Sequence, residues 1–219
     1  MGEHQWRDEE EWPLARTRYT PYYLHGEGGA NTLHGDGELK VVPSTEAASD
    51  SYIYDPLHPV PSAGGAMLGP RSGIARQNEV EQRTDVLVYT SPILEEAIEV
   101  TGPVDLVLYV STTAPNTDFT AKLVDVYPGG VAYNVSEGVL RSTYEEADAR
   151  VKIRINLWPT STLFRSGHRI RLEISSSSNP RFDRNPNTNQ TISTAVSTIP
   201  AKQTVYHGPV LTSHLVLPI

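Results

Sequence analysis

The chain has no cysteine among its 219 residues. Disulfide bonds and thiolate metal sites are therefore excluded, since both need a cysteine sulfur. Long apolar runs are lacking too, because no window reaches the roughly 18 residues of a membrane span. The first ten residues have neither the basic nor the apolar part of a secretory signal. We expect a soluble protein without a membrane partner. The compartment stays open, with the bacterial cytoplasm as our expectation.

Positive charge is in short supply. There are 18 Lys and Arg against 26 Asp and Glu, which gives a formal net charge of −8 at pH 7. A nucleic-acid-binding surface needs clustered cations that neutralise phosphates, and the sequence has no basic stripe of that kind. Nucleic acid is therefore excluded as an expected partner.

A serine nucleophile on a strand-to-helix turn is also missing, because the sequence contains no G-x-S-x-G. Seven histidines and many serines could in principle form a triad, which is recognised by geometry and not by order. A more economical interpretation is that these histidines, including His4 and His168, make structural hydrogen bonds. No two of them have the spacing of a helical zinc site. We predict no catalytic residue, no metal and no cofactor in this chain.

Alternation of apolar and polar residues is the recurring pattern. It is clearest over 151–157 and 170–174, and it predicts half-buried strands there. The stretches 104–110 and 123–126 are apolar at nearly every position, which is typical of strands covered on both faces. Further strands are predicted at 39–42, 51–54, 86–89, 132–135, 139–143, 204–206 and 215–217. About ten short strands separated by Pro, Gly and Asn predict an all-β fold, a jelly-roll β-sandwich.

Evidence for helix is poor. The segment Ile93 to Val100 has helix-forming residues, but it is short, it ends in apolar–polar alternation, and it lies between Pro92 and a Gly-Pro pair. No fixed repeat and no low-complexity linker divides the chain. We therefore expect one domain over 1–219, with a weakly patterned N-terminal segment over 1–37.

Three stretches carry a family resemblance: DPLHPVPSAGG from Asp55, DFTAKLVDVYPGG from Asp118, and GHRIRLEISSSSNPRFDRNPNTN from Gly167. In this order and spacing they resemble the C-terminal β-sandwich of cocaine-esterase-like hydrolases. That group includes α-amino-acid ester hydrolases and X-prolyl dipeptidyl-peptidases. The resemblance implies a galactose-binding-like sandwich that follows an α/β-hydrolase domain. In those enzymes the preceding domain carries a Ser-Asp-His triad.

The resemblance also implies roles for particular residues. Met67, Leu68 and Gly69 follow the PSAGG turn, where relatives reach into the substrate cleft, so they are our candidate substrate-binding residues. Gly69 stands where a close relative has an aromatic, which implies a wider pocket. An ordinary loop role for Leu68 is the alternative. Candidate residues for the interface with the catalytic domain are Trp6, Trp12, Tyr22, Tyr23, Asn179, Phe182 and Asp183. The aromatic ones could equally cover an edge of the sandwich.

The loop from Phe182 to Asn189 is rich in oxygen ligands, with Asp183, Asn185, Asn187 and Asn189 in alternation. Calcium could use such a set. Asn and Asp also hydrogen-bond their own backbone in tight turns, and Asn-Pro-Asn is a strong turn former. Turn formation, calcium binding and domain contacts all stay open here.

Two functions from different classes follow. The first is an accessory C-terminal domain of a serine hydrolase that acts on a small ester or acyl-peptide substrate. Its partner would be the α/β-hydrolase domain of the same chain, and the isolated chain would be inactive and prone to self-association. The alternative is a free-standing carbohydrate-binding module of the same architecture, since a fold does not fix a function.

Overall fold

The structure is a computed structural model that describes residues 1–2 and 5–219. Its described part contains eleven strands and two short 3₁₀ turns, at Val80–Gln82 and Ile192–Thr194. The strands are β1 Tyr19–His25, β2 Glu38–Lys40, β3 Ala48–Tyr54, β4 Leu87–Thr90, β5 Ile98–Thr112, β6 Asn116–Val126, β7 Ala132–Thr143, β8 Val151–Phe164, β9 Arg169–Ser175, β10 Ala201–His207 and β11 His214–Pro218.

Strand pairing is antiparallel throughout the described part except for one parallel contact between β2 and β4. The order is β3-β10-β5-β11-β1-β2-β4-β9-β6-β7, and β8 pairs with the other edge of β5. The short strand β2 joins the part of the sheet around β5 to the part around β9. This arrangement confirms the predicted all-β sandwich. The prediction that this sandwich has a galactose-binding-like topology stays a prediction.

The core lies between these two parts of the sheet. Alternate residues of the central strands point into it, such as Leu106 and Leu108 of β5, Leu123 of β6 and Leu172 of β9, all fully buried. Period-two alternation places every second side chain on one face, which is why these residues share one core. Burial of this apolar surface is the main favourable contribution to folding.

The predicted strands fall on observed ones, with two differences. The stretches 132–135 and 139–143 belong to one strand, β7, which continues through a bulge. The N-terminal segment is more regular than its weak pattern indicated, because Tyr19–His25 forms β1 between β11 and β2. The helix alternative at Ile93 to Val100 is wrong, since these residues are irregular up to Ile98, where β5 begins.

Candidate functional site

A short loop projects from the outer surface of the sheet around β6, β7 and β9. Gly65 and Gly73 form an antiparallel bridge in which each N–H donates to the other carbonyl, at 2.7 and 2.9 Å. The bridge closes the loop 66–72, and within it Ser72 bonds back to the Gly69 carbonyl. Leu68 at the tip is fully exposed. The loop closed by this bridge therefore presents the apolar side chain of Leu68 to solvent.

Side-chain amides hold the base of this loop. The Asn134 amide accepts from the Ala75 N–H at 2.7 Å and donates to the Gly73 carbonyl at 3.1 Å. Gln77 is fully buried and donates to the carbonyls of Ala63 and Ala75, both at 2.9 Å. The segments that lead into and out of the loop are thus held against β7, directly by Asn134 and through Gln77.

Below Gln77 lies a buried group of charges. Lys122 Nζ donates to Gln77 Oε1 at 2.9 Å and lies 3.6 Å from Glu173. Arg171 pairs with Glu81 at 2.7 Å. Burial raises the pKa of Glu173 to about 7, against the attraction of Lys122. These contacts fix the 3₁₀ turn that contains Glu81, and with it segment 75–85, on the sheet.

A third ion pair lies directly under the loop. Glu137 of β7 pairs with Arg181, and both side chains are largely buried. A Cβ on Gly65 would overlap the Glu137 carboxylate, and Gly65 has φ +98°. Only glycine meets both demands without strain. The backbone of the loop therefore rests in direct contact with the ion pair.

Two β-bulges lie beside this pair. On β7 the register against β6 shifts between Leu123 and Val124, so that Val135 is an extra residue. On β8 two residues, Leu157 and Trp158, oppose Val104 of β5. Bulges bend a strand and redirect a side chain, and they are frequent beside functional sites.

Trp158 shows the effect most clearly. Its φ is +66°, which is rare for a bulky residue and strained by about 1–3 kcal/mol. Its N–H donates to Asn156 Oδ1 at 2.7 Å, which supports the turn. Leu157 points into the core with no exposed surface, whereas the Trp158 side chain is 66% exposed. The strained bulge thus places the indole of Trp158 on the surface.

A cavity of about 570 Å³ lies between the loop and the two bulges. Its walls are mostly apolar, and Glu137 and Arg181 are the charged side chains among them. Ser136 also lines it, and its Oγ is buried with no hydrogen-bond partner in the described chain. We call this cavity the Trp158 pocket. It is lined by Met1, Gly65, Ala66, Gly73, Ile74, Asn134, Val135, Ser136, Glu137, Leu157, Trp158, Pro159 and Arg181.

The N-terminal segment borders the same surface. The Met1 nitrogen donates to the Ser161 carbonyl, and the Leu163 N–H donates to the Met1 carbonyl, along the free edge of β8. Met1 also lines a second cavity of about 570 Å³, together with Trp6 and Trp12. Because Met1 is common to both, the two cavities adjoin. We define the apolar face as Leu68, Ile74, Trp158, Met1, Trp6 and Trp12.

The predicted substrate-binding residues lie on this face. Leu68 and Gly69 are exposed, and a Cβ on Gly69 would meet no atom within 4 Å, but its φ of +113° favours glycine over any other residue. Met67 is partly buried, and its N–H bonds to the Gly65 carbonyl. Their role in binding stays a prediction.

The predicted interface residues divide into groups. Trp6 is fully exposed and Trp12 is exposed, as a partner surface requires. Tyr22 is only 7% exposed and packs in the chain's own core. The Tyr23 ring lies against the His214 ring, with 5.3 Å between centroids.

The remaining predicted interface residues, Asn179, Phe182 and Asp183, flank Arg181 in the sequence. The Asn179 N–H bonds to the Val60 carbonyl, and the Asn179 carbonyl accepts from the Ser62 N–H, so the residue is tied to the segment before the loop. The Arg181 guanidinium lies 5.0 Å from the centre of the Phe182 ring. The Asp183 side chain is exposed, and its carbonyl accepts from Arg141. Contact with a partner stays a prediction for all three.

The asparagines that could hold calcium are used within the chain. Asn185 and Asn187 are fully buried. The Asn185 amide donates to Asn116 and Asp118, and the Asn187 amide donates to the Ile199 carbonyl. Within residues 1–2 and 5–219 there is no cluster of three or more His, Asp or Glu that could hold a metal. The geometry favours turn formation.

The histidines make no catalytic arrangement in the described part of the chain. His168 bonds to Asp125 and His207 to Asp50, both at 2.8 Å, and His58 bonds to Asp55 on the surface. Among the described residues no serine or threonine hydroxyl bonds to a histidine ring. His4 lies outside the described residues.

The residues that build the Trp158 pocket, above all Trp158, Ile74, Glu137 and Arg181, were not among the predicted site residues. Trp158 follows the alternating run of β8 and precedes Pro159, and a proline next to an aromatic at a break in alternation was the available signal. Glu137 and Arg181 are 44 residues apart and carried no signal.

Comparison with known proteins identifies the family. Residues 1–216 match the family described as "X-Pro dipeptidyl-peptidase C-terminal non-catalytic domain". The chain belongs to this family. It is 43% identical to the cocaine esterase of Rhodococcus sp. (strain MB1 Bresler), over 100% of this chain and 40% of that protein.

Solved structures share the fold of this chain. An aminopeptidase from a marine sediment archaeon, Thaumarchaeota archaeon, superimposes with a TM-score of 0.84 at 27% identity, over 99% of this chain and 39% of that one. An α-amino acid ester hydrolase superimposes with a TM-score of 0.83 at 28% identity, again over 99% and 39%. The chain thus spans about two fifths of the length of these relatives.

No helix in the described residues is long and apolar enough to cross a membrane.

Proposed function

We propose that this domain packs through its apolar face on an α/β-hydrolase catalytic domain and that Met67, Leu68 and Gly69 form part of the wall of the substrate cleft. The substrate would be a small ester or acyl-peptide. The reaction would be acyl transfer through a serine nucleophile that this chain does not contain. We take residues 1–219 to be one domain. The observation that carries the proposal is the apolar face itself, on which Leu68, Trp158 and Trp6 are each exposed.

The composition of this face supports a partner. Soluble monomers seldom expose large contiguous apolar patches, and tryptophan is enriched at the centre of interfaces. The face borders the start of the described chain, and the family description makes this a C-terminal domain. A catalytic domain that precedes it would therefore emerge beside this face.

The rigidity of the loop supports a role at the cleft. A group that lines a substrate cleft works best when its position is fixed before binding. Leu68 is held by the Gly65–Gly73 bridge, by Asn134 and by the ion pair under Gly65. The alternative of a carbohydrate-binding module gains no support from the relatives, which are named as esterases and an aminopeptidase.

The test compares two substitutions in the full-length hydrolase that carries this domain. Leu68→Asp places a charge on the cleft wall and should lower kcat/KM for ester hydrolysis by about tenfold or more. Val210→Asp is the matched control, because Val210 is also an exposed apolar loop residue but lies away from the apolar face. Both variants of the isolated chain should keep the wild-type Tm. Equal kcat/KM in the two variants, over several acyl lengths, would remove Leu68 from the cleft.

A further inference from the structure

A buried amide joins the two ends of the exposed loop. Gln77 has no exposed surface, and its Nε2 donates to the Ala63 carbonyl before the loop and to the Ala75 carbonyl after it, both at 2.9 Å. In the sequence, the Gly65–Gly73 bridge lies between these contacts and the tip of the loop. Gln77 therefore closes the loop a second time, and this closure depends on where one side chain is held.

Lys122 of β6 holds the other end of the Gln77 amide. Its Nζ donates to Gln77 Oε1 at 2.9 Å, and the lysine side chain is only 7% exposed. If the lysine moved away, a buried amide oxygen would be left unpaired, which is unfavourable. Lys122 thus decides whether Gln77 is fully hydrogen-bonded in its present position.

Glu173 of β9 competes for the same lysine. Its carboxyl lies 3.6 Å from Lys122 Nζ, whereas a hydrogen bond between an ammonium and an ionised carboxylate is about 2.7–2.9 Å long. Its Oε1 is buried with no hydrogen-bond partner in the described chain, which is an unfavourable position for a charge. Both observations fit a neutral carboxyl. Burial raises the pKa of Glu173 to about 7, so both forms occur near neutral pH.

The charged side chains that face Glu173 in the described chain are Lys122, Arg171 and Glu81. Arg171, on the same strand, is already bound to Glu81 at 2.7 Å and to the Thr90 hydroxyl at 2.9 Å. Glu81 repels an ionised Glu173. Lys122 is therefore the cation that can move towards Glu173 when this carboxyl ionises.

We propose that the protonation of Glu173 controls the mobility of the loop 66–72 through Lys122 and Gln77. With Glu173 neutral, Lys122 bonds to Gln77 and the base of the loop is closed. With Glu173 ionised, Lys122 moves to the carboxylate, Gln77 loses its donor, and the loop opens more often. An effect on the substrate cleft rests on the proposed function, but the coupling itself belongs to this chain alone.

The experiment measures amide hydrogen exchange of the isolated chain at about pH 6 and about pH 8, on either side of the pKa of Glu173. Rates are corrected for the intrinsic pH dependence of exchange. The amides of residues 65, 73 and 77 are hydrogen-bonded, so this segment has protection to lose. Since one hydrogen bond is at stake, protection over 65–77 should fall by about two- to tenfold from the lower to the higher pH. Unchanged or increased protection would overturn the proposal.

The stretch 104–110 of β5 reports global unfolding in the same experiment, because core strands exchange through the largest openings. Protection over 65–77 should be lower than over 104–110 at both pH values, which identifies a local opening of the loop. Equal protection of the two segments would mean that the loop opens only when the whole domain unfolds, and this too would overturn the proposal.

Three variants identify the groups involved. Glu173→Gln cannot ionise, so protection over 65–77 should be the same at both pH values. Gln77→Met removes the amide and keeps an unbranched side chain, so protection should be low at both. Asp125→Asn is the matched control, because burial also raises the pKa of Asp125 but this carboxyl bonds to His168 and not to the loop.

Asp125→Asn should keep the wild-type change with pH. A change that persists in Glu173→Gln, or that is lost in Asp125→Asn, would contradict the assignment even if Gln77→Met did not fold. Failure of the Leu68→Asp test in the full-length enzyme would leave this result unaffected.

Discussion

The carboxylate of Glu137 occupies the space that a side chain on Gly65 would need. Glu137 is at the same time the partner of Arg181, so the backbone of the exposed loop lies on a buried ion pair. Position 65 therefore requires glycine for two reasons: its backbone has a positive φ, and there is no space for a Cβ. The loop that carries Leu68 is therefore held against β7 at Gly65, the residue that precedes it.

The first prediction separates these two demands. Gly65→Ala introduces strain at positive φ and also displaces the Glu137 carboxylate. Gly73→Ala, across the bridge, introduces only the first, because a Cβ there meets no atom within 4 Å. Left-handed backbone costs about 1–2 kcal/mol for a non-glycine residue, and disrupting a buried ion pair costs about 3–5 kcal/mol. Urea unfolding should show Gly65→Ala clearly less stable than Gly73→Ala. Equal free energies of unfolding would mean that the Glu137 carboxylate moves aside without destabilising the fold.

The second prediction concerns the strained turn at Trp158. At φ +66° glycine is favoured over alanine, so Trp158→Gly should be more stable than Trp158→Ala by about 1 kcal/mol. At an exposed strand position of ordinary φ the order reverses. Ile53 of β3 provides that control, and there the alanine variant should be the more stable by about 0.5–1 kcal/mol. Thermal unfolding of the four variants measures both differences. The same order at both positions would show that the bulge is not strained.

The third prediction concerns pH. Burial raises the pKa of Glu173 from 4.5 to about 7, so the folded chain binds a proton that the unfolded chain has released between these values. Stability must therefore fall as pH rises through this window, by up to about 1.4 kcal/mol per pH unit. Lys122, Arg171 and Glu81 face this carboxyl and remain in place in Glu173→Gln.

The measurement is the free energy of unfolding of both proteins across pH 4.5 to 7. The wild type should lose stability relative to Glu173→Gln as pH rises. Parallel curves would indicate that Glu173 is ionised in the folded chain throughout this range.

The fourth prediction concerns the exposed apolar face. If no partner covers it, the isolated chain should self-associate with rising concentration, since burial of apolar surface is favourable. Sedimentation should show this association, and Leu68→Asp should reduce it while Val210→Asp does not. A monomer at all concentrations would mean that the face is too small or too polar to drive association.

Much of the fold could be predicted from the sequence, because alternation reports burial directly. The run Val151 to Leu157 alternates since one face of β8 meets the core. The same rule failed at β1, where Tyr19 to His25 includes a proline and several tyrosines and shows no clean alternation. Its strand conformation follows from pairing with β11 and β2, and such long-range partners leave no local pattern.

The candidate site was only partly predictable for the same reason. The PSAGG turn pointed to Leu68, since consecutive glycines mark a special backbone. The pocket beside it depends on Glu137 meeting Arg181 and on a bulge that turns Trp158 outward. Tertiary contacts create both the ion pair and the bulge, and the local sequence gives no sign of the ion pair.

The most direct test of the central claim, that the apolar face packs on a catalytic domain, is hydroxyl-radical footprinting of the isolated chain and of the full-length hydrolase. We expect Trp6, Leu68 and Trp158 to become protected in the full-length protein, whereas Val196 and Val210 are labelled equally in both. Equal labelling of Trp6, Leu68 and Trp158 in the two proteins would contradict it.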